Sequence, residues 1–242
     1  MPLNPEQLAR YNRQIILPDI GIAGQEKLLN SKVLVIGIGG LGSAAVLYLA
    51  AAGAGTIGLA DADVVAVSNL QRQIIHFTPD LGKPKILSAQ EKISRLNPEI
   101  KINTHLLKAE QQNIADLIKD YDFILDCTDN FQAKFLINDA CVKAGKPFSY
   151  GGVSEWEGQA MTYIPGAACY RCVFNAPPLE NPPAGILGAV AGLLGTIQAA
   201  EALKYLLGVG ELLTNRLLIF DAQTMNFRTV KIKRSNDCSV CA

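Results

Sequence analysis

From residue 33 to residue 60 the chain carries no Asp, Glu, Lys or Arg. That is longer than the ~20 apolar residues a membrane-spanning helix needs, so the nature of this run decides what the chain can become. It reads VLVIGIGGLGSAAVLYLAAAGAGTIGLA, with glycine at 37, 39, 40, 42, 53, 55 and 58. The glycines form two groups and cut the run into three pieces. Residues 33–36 are β-branched-rich and of strand length. Residues 41–52 are rich in Ala and Leu and favour helix. Residues 56–60 are short and extended in character. Strand, glycine turn, helix, glycine turn, strand is the start of a βαβ unit. Strands of a parallel sheet are buried on both faces and need no charge. The run is therefore read as α/β core and not as a membrane span. The first residues, MPLNPEQLARYNRQ, lack the apolar core of a signal peptide, and a cytoplasmic location is expected.

The rest of the chain continues the alternation. Residues 5–30 read as a mostly helical arm, with Arg10 and Arg13 beside Tyr11. Helices are expected over 83–96, 110–119 and 131–144, and strands over 100–107, 121–127 and 148–150. Alternating strands and helices imply a Rossmann-like α/β fold, a mainly parallel sheet with helices on both faces. The last third differs. Residues 159–164, 216–220 and 227–232 look like an antiparallel meander. Between its strands lie a Pro-rich loop at 177–183 and a long apolar helix at 184–207. Gln198, Glu201 and Lys204 on that helix favour a buried or interface position over a membrane one. The organisation expected is an arm (1–30), a nucleotide-binding region (31–155) and a small C-terminal region (156–242) within one compact unit. Lys plus Arg is 22 and Asp plus Glu is 22. This balance lacks the positive excess of a nucleic-acid binder.

Gly37-Ile38-Gly39-Gly40-Leu41-Gly42 matches G-x-G-x-x-G between a strand and a helix. There, small residues let backbone N–H groups approach phosphates at a helix N-terminus. Asp61 follows at about the 20-residue offset of a ribose-binding carboxylate. Taken alone, this fingerprint suits NAD and an oxidoreductase. Its bland alternative is a turn used only for tight packing. The next residues shift the balance. Asp61-Ala62-Asp63, Ser68-Asn69-Leu70-Gln71-Arg72-Gln73 and Gly82-Lys83-Pro84-Lys85 supply cations that a pyrophosphate held by backbone amides does not need. Arg grips phosphate bidentately and Lys acts as a point charge, so these suit ATP with a metal. A solvated charged loop is the alternative. Asp126-Cys127-Thr128-Asp129-Asn130 ends another buried strand, where ligands of open α/β sheets collect. Asp129 there can hold Mg²⁺, or one of Asp129 and Asn130 can cap the following helix.

These segments, YNRQI at 11–15, GIGGLG, DAD, SNLQRQ, GKPK and DCTDN, resemble in order and spacing the ThiF/MoeB family, relatives of the ubiquitin-activating enzymes. The resemblance covers nearly the whole chain. It implies adenylation, with Mg-ATP, of the C-terminal glycine of a small ubiquitin-fold sulfur carrier, ThiS- or MoaD-like, for thiamine or molybdopterin synthesis. By resemblance Gly39, Gly40 and Gly42 approach the nucleotide, and Asp61 and Asp63 lie at its ribose. Asn69, Arg72, Gln73 and Lys85 meet the phosphates, and Asp129 with Asn130 completes the site. Arg13 resembles an arginine inserted into a partner subunit's site, which implies a homodimer. The attacking carboxylate is already ionised at neutral pH and needs no general base. This accords with a chain holding only 2 histidines, His76 and His105, both expected to be structural or solvated.

Of 6 cysteines, Cys169 and Cys172 form one C-x-x-C and Cys238 and Cys241 another. Two such pairs suit a closed, structural tetrahedral Zn²⁺ site, and disulfides are the weaker reading in a cytosolic chain. Cys127 and Cys141 stand alone and read as core residues. Many members of the resembled family carry a further cysteine after the first knuckle, able to bond covalently to the carrier. Residues 175–185 contain none, and Asn181 stands near the usual place, which separates adenylation from covalent transfer here. Other readings are an NAD-dependent oxidoreductase, a non-catalytic binding module, and a family member that adenylates a different carboxylate. Pyrophosphate exchange against nicotinamide binding separates adenylation from the oxidoreductase reading.

Overall fold

The computed structural model describes residues 2–176 and 185–242. The arm comprises α1 (Pro5–Arg10), α2 (Asn12–Ile15) and α3 (Gly21–Asn30). An Asn4 capping box starts α1. The break falls at Tyr11, which is buried and accepts a hydrogen bond from Asn97 Nδ2 at 2.8 Å. The alternating region follows with β1 (Lys32–Ile36), α4 (Gly40–Ala52), β2 (Thr56–Ala60), α5 (Lys85–Leu96) and β3 (Lys101–His105). It continues with α6 (Ile114–Ile118), β4 (Phe123–Asp126), α7 (Phe131–Lys143), β5 (Phe148–Ser154) and β6 (Glu157–Tyr163). The last elements are α8 (Gly188–Leu207), β7 (Arg216–Asp221) and β8 (Asn226–Lys231).

The uncharged run is thus most of β1, α4 and β2. The eight strands form one sheet in the order β3-β2-β1-β4-β5-β6-β7-β8. Neighbours from β3 to β5 are parallel, and those from β5 to β8 are antiparallel. Side chains alternate across each strand. Val33, Val35, Ile57, Leu59, Phe123 and Leu125 join one buried cluster that includes residues of α4, α5 and α8. Leu34, Ile36, Ile124 and Phe148 join a second, with residues of α6 and α7. No helix among the described residues is long and apolar enough to cross a membrane. The polar residues of α8 explain why it is a core helix. Gln198 Nε2 donates to the Asp126 and Ser149 carbonyls at 2.9 and 3.1 Å. Glu201 accepts from Thr162 Oγ1 and the Leu213 amide, both at 2.6 Å.

Three boundaries differ from the sequence reading by four residues. The helix expected over 110–119 is confined to Ile114–Ile118, because the Asn113 side chain accepts from the Glu110 amide and closes a turn first. Strand β5 runs on to Ser154, past the expected end at 150, because the antiparallel partner β6 pairs with it through Gly151 and Gly152. Helix α8 begins at Gly188, not at 184. The expected Pro-rich loop at 177–183, and Asn181 within it, lie outside the described residues.

Glycine packing fixes the centre. A Cβ on Gly42 would lie 2.1 Å from the Gly37 carbonyl oxygen, and one on Gly195 would lie 2.1 Å from that of Leu41. Beneath the turn, the buried His76 ring places Nε2 3.0 Å from the Ile38 carbonyl and Nδ1 2.9 Å from Ser88 Oγ. A carbonyl only accepts, so Nε2 carries the proton and Nδ1 accepts from Ser88. Burial pushes the His76 pKa below its usual value, against the Ile38 carbonyl and with the help of Lys85 and Lys92.

Gly42→Ala should destabilise the fold by about 2 kcal/mol through overpacking. Gly192→Ala should be neutral or stabilising by up to ~1 kcal/mol, since nothing lies within 4 Å of a Cβ there. Chemical denaturation of both variants checks the contrast. His76 supplies a second expectation. Its folded pKa lies below its unfolded one, so the unfolded chain binds the extra proton. Stability is therefore full above about pH 6.5 and falls as the pH drops through that value. Denaturation midpoints between pH 7.5 and 5.5 should fall less steeply in His76→Asn.

Candidate active site

β1 has β2 on one side and β4 on the other, so the chain reverses its direction of strand addition there. Ligands of open α/β sheets sit outside the strand carboxyl ends at such a switch point. A cleft of about 760 Å³ opens at this place. The turn after β1 and the loop after β4 form its floor. Gly37 has φ +93°, and a Cβ there would lie 2.7 Å from the Cys127 carbonyl oxygen. Only glycine lets these two loops pass so closely.

The helix N-terminus at this floor is open. Gly39 is the N-cap of α4 and no side chain caps it, so first-turn N–H groups remain for an anion. A Cβ on Gly39 would meet only the Gln73 amide nitrogen, at 3.6 Å. Gly39 and Gly40 line the cleft. Gly42 is not among the lining residues, and its lack of a side chain serves packing against the Gly37 carbonyl.

Asp61, Asp63, Arg72, Gln73, Lys85 and Asp129 all line the same cleft. Asp61 Oδ2 accepts from the Ile38 amide at 2.7 Å and Oδ1 from the Asp63 amide at 2.8 Å. Each of its oxygens keeps a further lone pair, so Asp61 both pins the turn and faces the cleft. Lys85 is buried at the start of α5, and its Nζ lies 2.8 Å from Asp63 Oδ2. Arg72 is half-buried and donates from Nη1 to the Ser68 carbonyl at 2.9 Å. Gln73 is buried, and its Oε1 has no hydrogen-bond partner. Asp129 is exposed within the cleft.

Three other expected site residues stand differently. Asn69 does not line the cleft. Its Oδ1 accepts from the Ala66 amide at 3.0 Å, and its carbonyl accepts from the Arg72 and Gln73 amides. It builds the turn that presents those two side chains. Asn130 lines the cleft, but its side chain is spent as the α7 N-cap, accepting from the Ala133 amide at 2.9 Å. This leaves Asp129 free of the capping role. Arg13 is exposed on α2 and does not line the cleft of its own chain.

The cleft also holds residues that the motifs did not point to. Leu107, Lys108 and Ala109 line one part of it, and Val153, Ser154 and Glu157 another. Lys134, on the first turn of α7, lines it as well. Its only sequence signal is its place soon after the Asp129-Asn130 cap. Of the histidines, His76 is a core residue and His105 is hydrogen-bonded to Tyr121 Oη at 2.8 Å.

The four paired cysteines converge away from this cleft. The sulfurs of Cys169, Cys172, Cys238 and Cys241 lie within 4.8 Å of one another. Cys169 and Cys238 are 3.7 Å apart and Cys172 and Cys241 3.5 Å, well beyond the ~2.05 Å of a disulfide. Four sulfurs each ~2.3 Å from a tetrahedral Zn²⁺ would be separated by such distances, so the donor set fits zinc. Cys127 and Cys141 are buried, and burial pushes both thiols far above their usual pKa, which leaves them inert.

Comparison with known proteins agrees with this geometry. The ThiF family profile matches residues 11–240. The probable adenylyltransferase/sulfurtransferase MoeZ of Mycobacterium tuberculosis is 45% identical, over 96% of this chain and 62% of MoeZ. The SAMP-activating enzyme E1 of Haloferax volcanii is 42% identical, over 100% of this chain and 91% of its own length. The sulfur carrier protein adenylyltransferase of Thermus thermophilus is 40% identical, over 98% and 91%. The chain thus spans less than two thirds of MoeZ and nearly all of the other two. Among solved structures, E. coli MccB with ATP superposes with a TM-score of 0.86 at 26% identity, over 96% of this chain and 74% of that one. From the switch-point cleft, the ordered motifs and these matches, the chain belongs to the ThiF family.

Proposed function

We propose that this chain adenylates the C-terminal glycine carboxylate of a small ubiquitin-fold sulfur carrier, using Mg-ATP and releasing pyrophosphate. The observation that carries this reading is the pairing of an uncapped α4 N-terminus with Arg72 and Lys85 in one cleft. Backbone N–H groups of α4 seat phosphate oxygens. Arg72 and Lys85 offset the charge that builds on the departing pyrophosphate. Lys85 is held ready by Asp63, so an incoming phosphate competes with one exposed carboxylate. Asp61 meets the ribose, and Asp129 would hold a Mg²⁺ ion, which would supply charge neutralisation at the triphosphate. No residue need remove a proton, because the carrier carboxylate arrives ionised. Rate enhancement rests on alignment and charge neutralisation.

The name of the 40% identical Thermus thermophilus relative, a sulfur carrier protein adenylyltransferase, favours a sulfur carrier as the activated group. Exchange assays with ThiS-like and MoaD-like carriers distinguish a thiamine from a molybdopterin role. The exposed Arg13 suits insertion into the cleft of a second copy, in a homodimer. The four cysteines would hold a structural Zn²⁺ that ties the C-terminal tail to the Tyr170–Cys172 turn. A closed set of four thiolates would suit a reducing, cytoplasmic setting.

Arg72→Ala and Asp129→Ala should each lower carrier-dependent ATP–pyrophosphate exchange at least tenfold, or about 1.4 kcal/mol in barrier. Unchanged exchange in both variants would overturn the assignment. Metal analysis of the purified chain should find one zinc per chain, and Cys172→Ser with Cys241→Ser should abolish it while leaving folded protein with a loosened tail.

A further inference from the structure

Lys134 is the buried cation of the cleft that no motif explains. It is 5% exposed, and an ammonium so placed must be paired. Its Nζ lies 2.7 Å from the Thr128 carbonyl and 2.6 Å from the Gly151 carbonyl. Asp126 Oδ1 stands 3.6 Å away, and the Tyr150 ring centroid is 4.7 Å beneath it. An ammonium has three protons; two go to these carbonyls, and the charge is offset by Asp126 at ion-pair distance and by the Tyr150 ring. Unlike Arg72, Lys134 is committed mainly to the protein's own backbone.

The acceptors belong to different walls. Thr128 precedes Asp129 in the loop after β4. Gly151 precedes Gly152, Val153 and Ser154 of β5, which line another part of the cleft. Asp126 turns the loop itself, since its Oδ1 accepts from the Thr128 amide at 3.0 Å and from Thr128 Oγ1 at 2.6 Å. Its Oδ2 is buried without a partner. Neutralising Lys134 alone would therefore strand a buried charge as well as release both carbonyls.

We infer that Lys134 is a positioning residue, a bolt that fixes the Asp129 loop against β5 and so presets the metal-binding carboxylate relative to the β5 wall of the cleft. This rests on the reading of Asp129 as the Mg²⁺ ligand. It predicts that Lys134 acts on metal dependence, which a residue needed only for stability would leave unchanged in the folded protein.

The test is the Mg²⁺ dependence of ATP binding, measured by calorimetry without any carrier. The variants are Lys134→Arg and the double change Lys134→Met with Asp126→Asn, which replaces the buried pair by neutral groups and so strands no buried charge. The double variant should need at least fivefold more Mg²⁺ for half-maximal ATP binding. Lys134→Arg, which keeps a charge and donors for both carbonyls, should stay within twofold of the parent. A folded double variant with the parent's Mg²⁺ dependence would overturn the inference while leaving the proposed function standing. A parent chain whose ATP binding ignores Mg²⁺ would overturn the metal role of Asp129, and the inference with it.

Discussion

The close passage of backbone at the β1–β4 crossing governs the rest of the molecule. Gly37 runs against the Cys127 carbonyl, Gly42 against the Gly37 carbonyl, and Gly195 of α8 against the Leu41 carbonyl. Side chains at these points would separate the turn, the helix and the sheet. With them absent, α4 points its N-terminus at the switch point, and α8 packs down on both α4 and the sheet. Gln198 then reaches the last residue of β4 and Ser149 of β5. The cleft is what remains in front of this crossing. Its position follows from topology, and its open floor follows from glycine.

Charge in the cleft is arranged by commitment. Lys85 is lent to an exposed aspartate, while Lys134 is committed to backbone and to the buried Asp126. Asp61 holds the glycine turn through Oδ2 and its own loop through Oδ1, whereas Asp129 is left exposed. Asn130 takes the helix cap and so spares its neighbour. Two adjacent residues of like chemistry thereby come to different uses, decided by which of them can reach the Ala133 amide. The same logic separates the cysteines. Four meet at one point with donor spacing suited to a closed metal site, and two are sealed in the core.

Much of this was legible in the sequence, because parallel strands and the turns at their carboxyl ends leave strong local marks. The uncharged run announced β1, α4 and β2, and the acidic and basic residues just past strand ends announced most of the cleft lining. Local marks do not show where a side chain's hydrogen bonds go. Asn69 belonged to the right motif, but its side chain and carbonyl serve the turn that presents Arg72 and Gln73. Lys134 was missed because its partners are carbonyls of Thr128 and Gly151, which carry no residue-type signal. β5 outran its expected end because its extension depends on β6, a partner supplied later in the chain.

The central claim is that this cleft joins a carboxylate to the α-phosphate of ATP. Intact-mass spectrometry of a ubiquitin-fold carrier ending in Gly-Gly, after reaction with the chain and Mg-ATP, tests this most directly. The account predicts a carrier heavier by one AMP moiety, formed with release of pyrophosphate and reversed when pyrophosphate is added. A carrier of unchanged mass, or ATP converted to ADP and phosphate, would contradict it.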